Sequence, residues 1–187
     1  MTNRIITLKA EPLTAEAFAP YGAVLGQGPG EALHVDLGEF EVNAWIHGEI
    51  DVSGGKVELQ YFTLTVRDME FSFLERHVLE TQSFIPVGGV PCIFPVAAPT
   101  AGDGPDHCPE PEDVRAFLFD GTAGVRLHKG TWHWVPFPLN GAASYLNMTR
   151  AGKFTDVVEG SNAGGSRGDF QRRDLAELRG TRFRFSL

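Results

Sequence analysis

Two short stretches gather the residue types that do acid/base or metal chemistry. The first runs Glu75-Arg76-His77 and continues through Gln82, Phe84, Pro86 and Gly89. Glu75 and His77 lie two apart, so on a strand they share a face, and Gln82 with Phe84 makes a second same-face pair on the strand after a tight turn. A carboxylate, an imidazole and an amide then converge on one patch. Burying them is unfavourable unless each is paired, ligates a metal or faces a hydrated pocket. The other reading is an exposed hairpin that turns Glu75 and His77 to solvent. The second stretch is His128-Lys129-Gly130-Thr131-Trp132-His133-Trp134. Gly130 permits a sharp turn between the histidines, and the two indoles supply rigid walls that exclude water. A plain core strand explains the tryptophans but leaves His128, Lys129 and His133 in need of partners, which favours a functional site.

The elements that must position these residues read as sheet. Val57, Leu59 and Tyr61 alternate against Glu58 and Gln60 behind a Gly54-Gly55 turn, and further strands are expected over 5–8, 70–77, 82–87, 93–97, 114–119, 125–129 and 144–150. With 22 glycines and 12 prolines between them, strands this dense predict an antiparallel barrel or sandwich. Thr14 reads as the N-cap of a short helix over 15–19 that Pro20 ends. Asp174 and Glu177 resemble a capping box for a second short helix closed by Gly180. The stretch 99–113 reads as an exposed loop that leaves His107 and Cys108 at the surface, and 161–168 reads as a flexible connection. The alternating Arg182-Phe183-Arg184-Phe185 is an end strand whose aromatic edge is the expected place for a dimer contact.

Composition bounds the rest. At 187 residues the chain is one domain's worth of sequence. Its net charge of −8, without a dense basic cluster, argues against a nucleic-acid partner. No run approaches the roughly 20 apolar residues of a membrane-spanning helix. The first eight residues lack the apolar core of a signal peptide, so a cytoplasmic location is expected. Cys92 and Cys108 are too few for a disulfide scaffold and read as free thiols, Cys92 as a small buried hydrophobe.

The spacing Glu75-x-His77-x4-Gln82-x6-Gly89 resembles the first cupin motif, with glutamate in place of its first histidine and glutamine in place of its glutamate. His128-x-Gly130-x2-His133 is similar to the second, with Phe137 at the usual asparagine position. More narrowly, Leu74-Glu75-Arg76-His77, Thr81-Gln82-Ser83-Phe84-Ile85-Pro86 and His128-Lys129-Gly130-Thr131-Trp132-His133 resemble the ureidoglycolate lyase family of allantoin degradation. Pro12-Leu13-Thr14, Phe18 and Pro20-Tyr21-Gly22 support the match, which spans about residues 5–150, whereas Asn147-Met148-Thr149-Arg150 and the tail depart from it.

The resemblance implies an all-β, mainly antiparallel cupin barrel, or double-stranded β-helix, with short peripheral helices. It further implies a single domain over 1–187, with 155–187 as an extension packed on the barrel or on a dimer partner. The implied enzyme is a homodimer that cleaves ureidoglycolate into glyoxylate and urea. In that reading His133 and His77 are the acid/base residues, with Glu75 and Lys129 also catalytic. Lys129 or Arg76 neutralises the substrate carboxylate, Gln82 bonds the urea group, Trp132 and Phe84 form a dry wall, and His128 adds a substrate contact. No redox cofactor is required. Glu75, His77, Gln82 and His133 fall where cupin metal ligands fall, so a divalent transition metal is the one cofactor to consider, weakly held because glutamine is a poor ligand. Two rivals stand beside the lyase. One is a metal-dependent isomerase, hydrolase or dioxygenase acting on a hydroxy or keto acid; the other is a non-catalytic cupin that binds a small carboxylate or sugar.

Overall fold

The computed structural model of the chain describes residues 3–28, 31–162 and 166–187. Two sheets form a strongly curled, mixed half-barrel of the cupin type. The larger runs, strand beside strand, Ser166–Arg167, Phe170–Asp174, Phe73–His77, Trp132–His133, Cys92–Ala97, Arg115–Phe119, Arg4–Pro12, Thr181–Ser186 and Glu70–Phe71, with Phe137–Pro138 also paired to Cys92–Ala97. The smaller runs Gly22–Leu25, Gly124–Leu127, Ser83–Val87, Ala143–Arg150 and Val57–Leu64. Most neighbours are antiparallel, as expected. The exception is Arg4–Pro12, which pairs in parallel with both Arg115–Phe119 and Thr181–Ser186 and so ties the two ends of the chain together.

Strand alternation sorts side chains into two apolar layers. Along Cys92–Ala97, Cys92, Phe94 and Val96 point into a core between the sheets with Phe84, Phe117, Phe119, Leu127 and Tyr145. Ile93 and Ala97 point the other way, into an outer core with Leu74, Trp132, Phe137, Phe183 and Phe185. Each phenyl group sealed from water contributes roughly 1.5–3 kcal/mol. The tail is therefore a structural layer, since Leu175, Phe183 and Phe185 close the outer core. This corrects the expectation of an aromatic dimer edge at Phe183 and Phe185, because both rings stack on Phe71 within the same chain. Cys108 is likewise buried in the outer core instead of lying at the surface.

Local expectations for the helices hold at their caps. The Thr14 hydroxyl accepts from the Ala17 amide at 3.1 Å at the start of Ala15–Phe18. The Asp174 carboxylate accepts from the Ala176 amide at the start of Leu175–Arg179, which ends on Gly180 at φ 58°. A third helix, Lys153–Asn162, takes up the start of what reads in sequence as a flexible connection; residues 163–165 of that stretch lie outside the described residues. Exposed apolar side chains collect on the hairpin Leu33–Asp36 and Glu41–Ala44 and on the edge strand Val57–Leu64, where Leu59 and Tyr61 stand in solvent. Among the described residues no helix is long and apolar enough to cross a membrane.

Candidate active site

The inner face of the large sheet brings Glu75, His77 and His133 together. Phe73–His77 supplies the first two, and the short Trp132–His133 strand pairs with it in a register that sets His133 opposite Glu75. Cross-strand opposition brings side chains on one face close, and Glu75 Oε1 lies 3.7 Å from His133 Nε2. The turn that makes this possible has Gly130 at φ 77°, with its amide donating to the His77 carbonyl at 2.7 Å. His133 Nδ1 lies 3.0 Å from the Thr131 carbonyl. A carbonyl only accepts, so Nδ1 carries the hydrogen and Nε2 presents a bare lone pair to Glu75. His77 Nδ1 lies 3.5 Å from Asp169 Oδ2 and 3.8 Å from Glu80 Oε1. Gln82, on the run into Ser83–Val87, is buried with its Oε1 unpartnered. The Phe84 and Phe94 rings wall His133, and Phe170 walls His77.

That apolar lining sets the protonation states. Burial disfavours charge, holding both imidazoles well below the ordinary histidine range, His133 further so because of His77, and His77 because of the Lys153 ammonium. Burial pushes the Glu75 carboxyl up to about 7, against the pull of Lys153 and Arg172. Neutral imidazoles thus face a carboxyl group that can hold or release a proton near neutral pH. This combination supports acid/base work on a bound small molecule.

A family model for ureidoglycolate lyase matches residues 5–163. The chain belongs to the ureidoglycolate lyase family. Proteins named ureidoglycolate lyase are similar to it along most of both chains. The one from Pseudomonas aeruginosa strain LESB58 is 34% identical over 156 residues, covering 82% of this chain and 89% of the relative. That from Agrobacterium fabrum strain C58 is 30% identical over 155 residues, covering 81% and 89%. That from Burkholderia mallei strain NCTC 10229 is 34% identical over 159 residues, covering 82% and 88%. This member of the ureidoglycolate lyase family also carries residues 164–187 beyond the matched stretch. Asp169, whose Oδ2 lies 3.5 Å from His77 Nδ1, lies there.

The expected site residues divide between the two faces of the sheet. Gln82 is buried, and Glu75, His77, Phe84 and His133 meet inside. Arg76 and Trp132 do not, because each is one residue out of phase with its inner neighbour. Arg76 donates to the Thr100 and Gly102 carbonyls and to Gln171 Oε1, and stacks 4.5 Å from the Trp132 ring on the outer side. Trp132 belongs to the outer core, so it walls no pocket beside Phe84. Lys129 is held at the surface by Asp51 at 2.7 Å and Ser53 at 2.8 Å, and exposed His128 lies 3.2 Å from the Ala19 carbonyl. Sequence reasoning missed Glu80, Lys153 and Asp169, all buried beside His77. It also missed the inward placement of Tyr145, Asn147 and Thr149. The alternation along Ala143–Arg150, in which Ala143, Tyr145, Asn147 and Thr149 are buried, was available to find those last three.

The donor atoms also fit a divalent ion. One ligand atom each from Glu75, His77 and His133 lies within 4.8 Å of the others. His133 Nε2, both His77 nitrogens and Gln82 Oε1 have no hydrogen-bond partner among the described residues. Two imidazoles, a carboxylate and an amide suit a first-row transition metal, and the Thr131 carbonyl orients His133 as an outer partner orients a ligand.

Proposed function

We propose that this chain cleaves ureidoglycolate into glyoxylate and urea within the half-barrel, with His133 and Glu75 moving the proton. The observation that carries this reading is the bare His133 Nε2 placed 3.7 Å from a carboxyl group that ionises at about 7. Ureidoglycolate bears a hydroxyl and a urea nitrogen on one carbon, so its breakdown is the collapse of a carbinolamide. His133 Nε2 takes the hydroxyl proton, the oxygen lone pair closes to a carbonyl, and the C–N bond breaks toward nitrogen. Protonated Glu75 delivers a proton to that nitrogen, and urea leaves. His133 then returns its proton to Glu75, which restores the pair without consuming water. Gln82 Oε1 accepts from a urea N–H, and the Phe84, Phe94 and Phe170 rings keep bulk water from the developing charge.

The deciding measurement is release of urea and glyoxylate in equal amounts from fresh ureidoglycolate by purified protein. A rate no greater than buffer alone overturns the reading and favours a non-catalytic cupin that binds a small carboxylate.

The spacing of the donor atoms favours a second use of the same residues, in which Glu75, His77 and His133 hold a divalent ion. A bound ion supplies Lewis acidity to a hydroxyl or carboxylate oxygen. A lone pair given to a metal takes no proton, so the two uses are exclusive. Elemental analysis of protein purified without chelator or histidine tag separates them, and less than about a tenth of an equivalent removes the metal. The enzyme is further proposed to be a homodimer, supported by the exposed apolar side chains of the hairpin and of the Val57–Leu64 edge strand, since an unpaired strand edge with apolar side chains invites pairing with another chain. Light scattering that returns the mass of one chain overturns this.

A further inference from the structure

The interior holds a cation that none of these roles absorbs. Lys153 opens the helix Lys153–Asn162, where a positive charge opposes the helix dipole, so the helix itself gives no reason for a lysine. Its side chain is 6% exposed and its Nζ lies 3.3 Å from Glu80 Oε1, yet it makes no hydrogen bond among the described residues. Glu80 does not depend on it. The Thr149 hydroxyl donates to that carboxylate, at 2.8 and 2.6 Å from its two oxygens, and so does the Arg150 amide.

An ammonium offers three donors, and a buried one left without acceptors is strongly disfavoured. Burial lowers the pKa of Lys153, while Glu80, Glu75 and Asp169 act in the other direction and favour the charged form. Its field in turn acts on Glu75, His77 and His133. The cations first expected to meet a substrate carboxylate are already engaged elsewhere, Arg76 by carbonyls on the outer face and Lys129 by Asp51. What remains is a buried ammonium with Glu80 on one side, two short steps from His77 through that carboxylate, and its field reaches the catalytic pair.

We propose that Lys153 is the specificity-determining cation of this site and binds the carboxylate of a small 2-hydroxy or 2-ureido acid. The identity of that acid rests on the lyase reading; its negative charge does not.

Calorimetry on the full chain tests this with two carboxylates, N-carbamoylglycine (the substrate without its hydroxyl) and glycolate, and with neutral N-carbamoylglycinamide as control. Lys153→Met weakens both carboxylates by at least about tenfold, the scale of one charge-assisted contact, Lys153→Arg regains part of the loss, and the neutral amide binds all three proteins alike. Should Lys153→Met fail to fold cooperatively, the Glu80→Gln/Lys153→Met double variant removes the charge pair together and carries the same comparison. Carboxylate binding within about threefold of wild type in the variant that folds, or no carboxylate binding by wild type, overturns the assignment. Turnover is read separately. Wild type that binds carboxylates through Lys153 yet releases no urea sinks the lyase reading and upholds the anchor, whereas turnover with binding indifferent to Lys153 sinks the anchor alone.

Discussion

The two faces of the Phe73–His77 strand both bury polar side chains, and they treat them differently. On the outer face Arg76 has its donors matched by the Thr100 and Gly102 carbonyls and by Gln171, and the Trp132 indole donates to Thr100 Oγ1 at 2.8 Å. On the inner face both His77 nitrogens, His133 Nε2, Gln82 Oε1, Lys153 Nζ and Asp169 Oδ2 have no hydrogen-bond partner among the described residues. Buried groups with partners stabilise a fold, and buried groups without them weaken it unless a ligand completes them. Residues 75 and 76 are adjacent in sequence and face-to-face opposites in purpose.

The contrast is sharpest at His133. His133→Ala removes the base, and kcat/KM for ureidoglycolate falls by at least about a hundredfold while far-UV circular dichroism stays unchanged; a near-wild-type rate moves the chemistry to another residue. Arg76→Met does the reverse. It removes hydrogen bonds to two carbonyls and an amide oxygen that are half-buried or exposed, and the packing on Trp132, lowering unfolding stability in denaturant by about 1–2 kcal/mol, with kcat/KM within about threefold of wild type. If Arg76→Met stays stable but loses activity, the division between the faces is wrong.

Asp169→Asn probes the boundary between the two faces. Asn retains an acceptor for the Leu79 amide, which Asp169 caps, but replaces the carboxyl group that lies 3.5 Å from His77 Nδ1. Steady-state kinetics then show kcat down by about tenfold with KM little changed, the scale expected for a residue that orients another. A tail with a purely structural role instead gives lower stability at unaltered kcat. Smallest of all is Lys129→Ala, because that ammonium is already engaged by Asp51 and Ser53. It leaves kcat/KM within about twofold, and a larger loss puts Lys129 back among the functional residues.

Much of the large-scale order was legible in the chain. Period-two alternation predicts a shared face for Glu75 and His77, and the same period sends Arg76 and Trp132 to the other side once Glu75 and His133 are known to point inward. Grouping residues by proximity in sequence, not by phase, is what placed them in the site. The helix Lys153–Asn162 was not legible, since Thr155, Val157, Val158 and Gly160 are weak helix formers. Gly160 is a tertiary requirement, as a Cβ there would meet the buried Phe170 ring at 2.6 Å. Asp169 comes up to His77, and Lys153 to the Glu80 carboxylate beside it, across 92 and 76 positions of chain from His77, and no local pattern spans such distances.

The sequence by itself determined the sheet-rich class, the two capped short helices, the family motifs and the inner trio's residue types, because these follow from backbone periodicity, capping chemistry and spacing within one hairpin. Only the tertiary structure decided which cation the interior keeps and which carboxylate attends His77. Both choices depend on how the chain's last third curls back over the sheet, where burial raises the energetic weight of every charge it brings.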